Sequence, residues 1–112
     1  MSKTILMIHG LFGHGGFWDK YRRFFEKAGY AVVTPSLRFH DERYKDHPPR
    51  ELGLVSMRDY AADLKEEVAA LDEKPILIGH SAGGLLALML AEEGLAEKAA
   101  LLCPVTPWGI KV

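Results

Sequence analysis

The residues best suited to chemistry are Gly79-His80-Ser81-Ala82-Gly83-Gly84. A serine stands with glycines two positions before and two positions after it, the G-x-S-x-G pattern of a nucleophile elbow. The chemistry open to it is covalent catalysis. A base takes the hydroxyl proton, the oxygen attacks an electrophilic carbon, and the oxyanion that forms needs hydrogen-bond donors. The flanks suit this. Pro75-Ile76-Leu77-Ile78 is an apolar run of strand character, and Leu85-Leu86-Ala87-Leu88-Met89-Leu90 continues as an apolar helix. A strand entering a helix this abruptly holds Ser81 in a strained conformation. Gly79 and Gly83, lacking a Cβ, let the two backbones approach. The helix dipole at that turn favours developing negative charge. The backbone N–H of Ala82 is one expected oxyanion donor, and that of Leu11, or Phe12, in the loop after the first strand is the other. The competing account is a tight structural turn with no chemistry.

The elements that must position this turn follow in order. Thr4–Ile8 is nearly all apolar, as expected of a parallel strand covered on both faces. After His9-Gly10 comes a glycine loop, Leu11–Gly16. Residues Phe17, Trp18, Tyr21, Phe24, Phe25 and Ala28 then recur at helical spacing and are expected to be core contacts, with Gly29 as the C-terminal cap. Tyr30–Thr34 reads as a second strand closed by Pro35, and Ser36–Val55, polar and carrying Pro48-Pro49, as a long loop. Ser56-Met57-Arg58-Asp59 resembles a capping box, after which Met57, Tyr60, Ala61, Leu64, Val68 and Leu71 form one apolar stripe. The elbow helix extends to about Glu93, with Gly94 as its cap, and Lys98–Cys103 is a fourth strand. This alternation predicts an α/β fold: a parallel sheet of about four strands with helices on both faces, in a single domain over residues 1–112. The first loop and the elbow then share the C-terminal edge of the sheet, where such folds carry their sites.

Taken together, Ile8-His9-Gly10-Leu11-Phe12-Gly13, the Trp18 helix, Gly29-Tyr30-Ala31-Val32-Val33-Thr34-Pro35 and Ile78-Gly79-His80-Ser81-Ala82-Gly83-Gly84 resemble the α/β-hydrolase superfamily in its order and spacing. The resemblance is to small serine hydrolases of esterase or lipase type, and it implies a truncated hydrolase core. It implies Ser81 as nucleophile, Leu11 and Ala82 as the oxyanion-hole donors, and His9 as a residue that shapes its turn. The implied function is hydrolysis of an ester or related acyl bond in a small-molecule substrate, without a cofactor.

The chain departs from the family at one point. The family's triad runs serine, acid, histidine, yet after Ser81 there is no histidine and no aspartate, only Glu92, Glu93 and Glu97. None of these is expected to orient a catalytic histidine, and the chain stops where the family would continue. Of the upstream histidines, His14 in the glycine loop is the first candidate for a substitute base. His80 is expected to point away from the hydroxyl, and His40 and His47 lie in the long loop. The alternative function is a non-catalytic hydrolase-like fragment that associates with itself or a partner. For that role, the Lys98–Cys103 strand offers an open sheet edge, and the Phe17–Ala28 helix face a second surface.

Composition bounds the rest. The chain has 112 residues, 48% hydrophobic and 26% charged, with a net charge of −1. That balance gives no electrostatic drive toward nucleic acid or an anionic membrane. No stretch approaches the ~20 apolar residues of a membrane span, and the start lacks a signal-peptide pattern; a cytoplasmic protein is expected. The single cysteine, Cys103, precludes an internal disulfide and is expected to be a buried small hydrophobe. His40-Asp41-Glu42 and Asp46-His47 are expected to be loop charges rather than a metal site. An anion or nucleotide site is disfavoured because no Walker lysine follows the glycines and His9–Gly16 does not spell G-x-G-x-x-G. Phe12, Phe17 and Trp108 are candidates for an apolar pocket beside Ser81 or for ordinary packing.

Overall fold

The computed structural model describes residues 2–106; Trp108 lies outside them. Four strands, β1 (Thr4–Ile8), β2 (Ala31–Val33), β3 (Ile76–His80) and β4 (Lys98–Leu102), form one sheet in the order β2-β1-β3-β4. All neighbours are parallel. The α-helices are α1 (Asp19–Lys27), α2 (Met57–Ala69) and α3 (Ala82–Glu92). The chain winds outward from β1 to β2, then crosses back over β1 to reach β3 and β4. Because crossovers are right-handed, reversing direction moves the helices to the other face. Accordingly, α1 covers one face, where Ile5 and Met7 pack with Trp18 and Phe25. On the opposite face, Leu6, Ile8 and Leu77 pack with Tyr60, Leu64 and Val68 of α2 and Leu86 and Leu90 of α3. The reversal opens a crevice at the C-terminal ends of β1 and β3.

Local chemistry sets the element bounds. Helix α2 begins with a reciprocal capping box: Ser56 Oγ accepts from the Asp59 N–H and the Asp59 carboxylate accepts from the Ser56 N–H. Its stripe is buried at Tyr60, Ala61, Leu64 and Val68 and partly buried at Met57 and Leu71. The expected Phe17–Ala28 helix is split: Gly15–Trp18 is a 3₁₀ turn capped by His14, whose Nδ1 accepts the Gly16 N–H, and α1 begins only at Asp19. The expected Tyr30–Thr34 strand contracts to three residues. Within the long loop, Glu42–Tyr44 and Arg50–Leu54 form short 3₁₀ turns.

Two burial expectations are corrected. Trp18 is buried and Phe25 partly so, but Phe17, Tyr21 and Phe24 are exposed. With α1 as the sole α-helix on its face among the described residues, only a narrow stripe of it meets the sheet. Cys103 is exposed rather than buried, because it lies one residue past β4 in a left-handed turn (φ 47°) beyond the edge of the core.

Candidate active site

Strand register brings the two loops together. Ile8 pairs with Gly79 at the end of the β1–β3 ladder, so Gly10 and Ser81 become neighbours. A Cβ added to Gly10 would lie 3.3 Å from the Ser81 Cβ. Ser81 leaves β3 at φ 57°, ψ −120°, the conformation of the first central residue of a type II′ turn, normally glycine's place. The packing around it accepts no side chains at two positions. A Cβ on Gly79 would collide with the Gly83 carbonyl, and a Cβ on Gly83 with the Ile8 carbonyl. The strain at Ser81 is therefore held in place from both sides.

Backbone hydrogen bonds complete the clamp. The Ser81 N–H donates to the Leu102 carbonyl (3.0 Å), which carries the β3–β4 ladder through the turn. The Ser81 carbonyl accepts from Gly84 (2.9 Å) and from Val105 beyond β4 (3.1 Å). Among the described residues, the N–H groups of Leu11, Phe12 and Ala82 donate to no protein acceptor, and the Ser81 hydroxyl has no partner. A Gly13-to-Gly10 turn bond (3.0 Å) shapes the segment that carries Leu11 and Phe12. Ser81 opens into a cleft of about 190 Å³ lined by Gly10, Leu11, Phe12, Gly13, Phe17 and His80. His80 stacks on Phe17 with ring centroids 5.3 Å apart.

His14, His9 and His40 are occupied elsewhere. His14 caps the 3₁₀ turn through Nδ1 and places Nε2 3.7 Å from a Glu42 carboxylate oxygen. It does not line the Ser81 cleft. His9 is fully buried: its Nε2 accepts the Leu37 N–H (2.9 Å), so the proton sits on Nδ1, which donates to the Gly10 carbonyl (2.6 Å). Burial holds its pKa down at about 4 against the ordinary 6.5, and the nearby His40 and His14 push the same way. His40 packs between His9 and Tyr60, with Nδ1 2.9 Å from the Arg38 carbonyl. Two of the carboxylates after Ser81 are engaged elsewhere: Glu93 pairs with Lys65 and Glu97 accepts from the Ser2 N–H at the opposite end of the sheet. Asp41 in the long loop pairs with Arg43.

Residues 5–111 match the model of the alpha/beta hydrolase family. The chain belongs to that family. Among its alpha/beta hydrolase relatives, it is 31% identical over 98 residues to the pyrethroid hydrolase of Sphingobium wenxiniae and 34% identical over 100 residues to the polyneuridine aldehyde esterase of Rauvolfia serpentina. These alignments cover 88% and 87% of this chain but 34% and 36% of the relatives, so it spans about a third of their length. A crystal structure of polyneuridine aldehyde esterase superposes with a TM-score of 0.72 at 28% identity, covering 96% of this chain and 42% of that one. The region matched to the alpha/beta hydrolase family thus includes the β2-β1-β3-β4 sheet and the Ser81 turn. No helix among the described residues is long and apolar enough to cross a membrane.

Proposed function

We propose that this chain carries the nucleophile and oxyanion hole of a serine hydrolase acting on an ester or related acyl bond. Ser81 Oγ is the nucleophile, held at a nucleophile elbow by Gly79 and Gly83. The N–H groups of Leu11 and Ala82 receive the negative charge that develops on the carbonyl oxygen. In the acylation step a bond forms between Ser81 Oγ and the carbonyl carbon, the hydroxyl proton passes to solvent, and the alcohol departs after protonation. Water then releases the acid. The observation that carries the reading is Ser81 at φ 57°, ψ −120° in a cleft, its hydroxyl and the N–H groups of Leu11, Phe12 and Ala82 all without a partner among the described residues. The esterase and hydrolase names of the relatives support the reaction class.

Among the described residues, the one histidine lining the Ser81 cleft is His80, which stacks on Phe17. His14, His9 and His40 are engaged as described, and no histidine or aspartate follows Ser81 in the sequence. Oxyanion stabilisation without a base leaves a residual acceleration of about 10³–10⁴ over water in serine hydrolases stripped of their triad. The expected behaviour is slow stoichiometric labelling by a fluorophosphonate and weak turnover of short nitrophenyl esters. Labelling is lost in Ser81→Ala; undiminished labelling of that variant, or no labelling of the folded parent, would overturn the assignment.

A second reading rests on a separate observation. Among the described residues β4 pairs only with β3, and Lys98, Ala99, Ala100 and Leu102 are exposed. An open strand edge is a template for pairing, and a second copy offers the identical edge in an isologous arrangement. On this reading the chain self-associates through β4 whether or not Ser81 reacts. Light scattering that gives the monomer mass at every concentration would exclude it.

A further inference from the structure

Beside the Ser81 cleft lies a larger groove, about 340 Å³ in volume, whose apolar lining is Leu11, Phe12, Phe39, Tyr44, Pro48 and Leu52. The two cavities share Leu11, Phe12 and Gly13 as a common wall. The volume is at the lower end of small-ligand sites.

We propose that this groove, formed by the Phe39–Leu52 segment, is a subsite for a neutral aromatic arm of the substrate whose carbonyl is presented to Ser81. The proposal deepens the serine-hydrolase reading and rests on it. Three observations support it. Phe12 stands on the ridge between the cavities with its whole side chain in solvent (106% exposed), the position from which a ring could close over a bound arm. Phe39 adopts φ 64°, a left-handed conformation unfavourable for a bulky residue, and there packs edge-to-face on Tyr44 at 5.5 Å. The groove thus presents three aromatic side chains, suited to the offset and edge-on contacts of a planar guest.

The acidic side chains at the groove are already paired, so they offer no free charge for an ionised arm. Asp41 is committed to Arg43 and Glu42 lies by His14, while Lys45 adds a single cation.

The test compares labelling by a methyl fluorophosphonate and a naphthyl-armed fluorophosphonate in the parent chain, in Leu52→Trp, designed to fill the groove, and in Tyr21→Ala on α1, which lines neither cavity. The parent is expected to react about tenfold faster with the naphthyl probe, and Leu52→Trp to abolish that preference, equivalent to about 1.4 kcal/mol. Tyr21→Ala should keep it. Equal rates for both probes in the parent, or a preference that survives Leu52→Trp, overturns the subsite while leaving Ser81 as nucleophile. If neither probe reacts, the nucleophile assignment fails, and the groove is decided by titrating the Ser81→Ala protein with 2-naphthol. Amide shifts confined to Phe12, Phe39, Tyr44 and Leu52 then support the subsite; shifts elsewhere or none overturn it.

Discussion

Ser81 occupies a conformation that a glycine would hold with less strain, and that makes the strain measurable. Strained residues of this kind cost about 1–3 kcal/mol, so Ser81→Gly should gain about 1 kcal/mol after the entropy of glycine is subtracted. Calorimetry should then show a rise of about 4 °C in Tm, with Ser81→Ala near the parent because its Cβ keeps the strain. Gly83→Ala should do the opposite: its methyl meets the Ile8 carbonyl, and a loss of about 3 kcal/mol, or failure to fold, is expected. Gly53→Ala, where an added Cβ meets nothing, is the neutral control in the same denaturation series. His9 sets a pH dependence. Its folded pKa is about 4 against 6.5 unfolded, so the unfolded chain binds the proton more readily. Stability from this group is complete above about pH 6.5 and declines as pH falls toward about 4, by about 3 kcal/mol in all. Asp59 and Glu73, whose carboxyls are held below their ordinary values by backbone and side-chain donors, lose their contributions only in more acid solution. Urea titrations across this range should show the slope in the parent and its disappearance in His9→Gln. At this scale the strand-to-helix turn at Gly79, Ser81 and Gly83 is legible because a sharp turn admits few residue types. The ties of His14 to Gly16 and Glu42 were not, since a loop histidine's partners depend on where a segment nearly thirty residues later comes to rest.

Among elements, α2 was the most readable because its cap and its stripe agree. Ser56→Ala removes the acceptor for the Asp59 N–H and should cost about 1 kcal/mol in chemical denaturation; an unchanged midpoint would mean the cap is replaced by solvent. The Phe17–Ala28 segment was harder to read. Its aromatic spacing fits a helix throughout, but helical periodicity cannot register that Gly15 sits tight against the Thr34 carbonyl. That contact and the His14 cap wind the first turn more tightly. Nor could the spacing separate Trp18, which enters the core, from Phe17, Tyr21 and Phe24, which do not. Which residues a helix buries depends on how many helices share its sheet face. The β2 strand was overestimated for a related reason: apolar residues beside Pro35 look like strand, but only Ala31–Val33 has a ladder partner in β1.

For the whole molecule, the alternation of elements predicted the parallel sheet and the two-sided cover, and the reversal of winding between β1 and β3 accounts for where the crevice opens. The exposure of Cys103 is not legible at this scale, since burial beside a sheet edge depends on what lies past the edge. If self-association through β4 holds, Ala100→Lys on the exposed strand should lower the concentration-dependent mass in light scattering while leaving the circular dichroism spectrum unchanged. A mass that does not respond would place any assembly on another surface. The bonds from Ser81 to Leu102 and from Val105 to Ser81 also bear on the order in which the molecule can be made. During synthesis from the N-terminus, β1, α1, β2, α2 and β3 all emerge before the acceptor and donor that pin the serine's own peptide groups. Until Lys98–Leu102 joins the sheet, the turn is held by the Gly79–Gly83 and Gly83–Ile8 contacts but lacks these two bonds. The clamp on the Ser81 peptide groups is therefore complete only once β4 has docked beside β3.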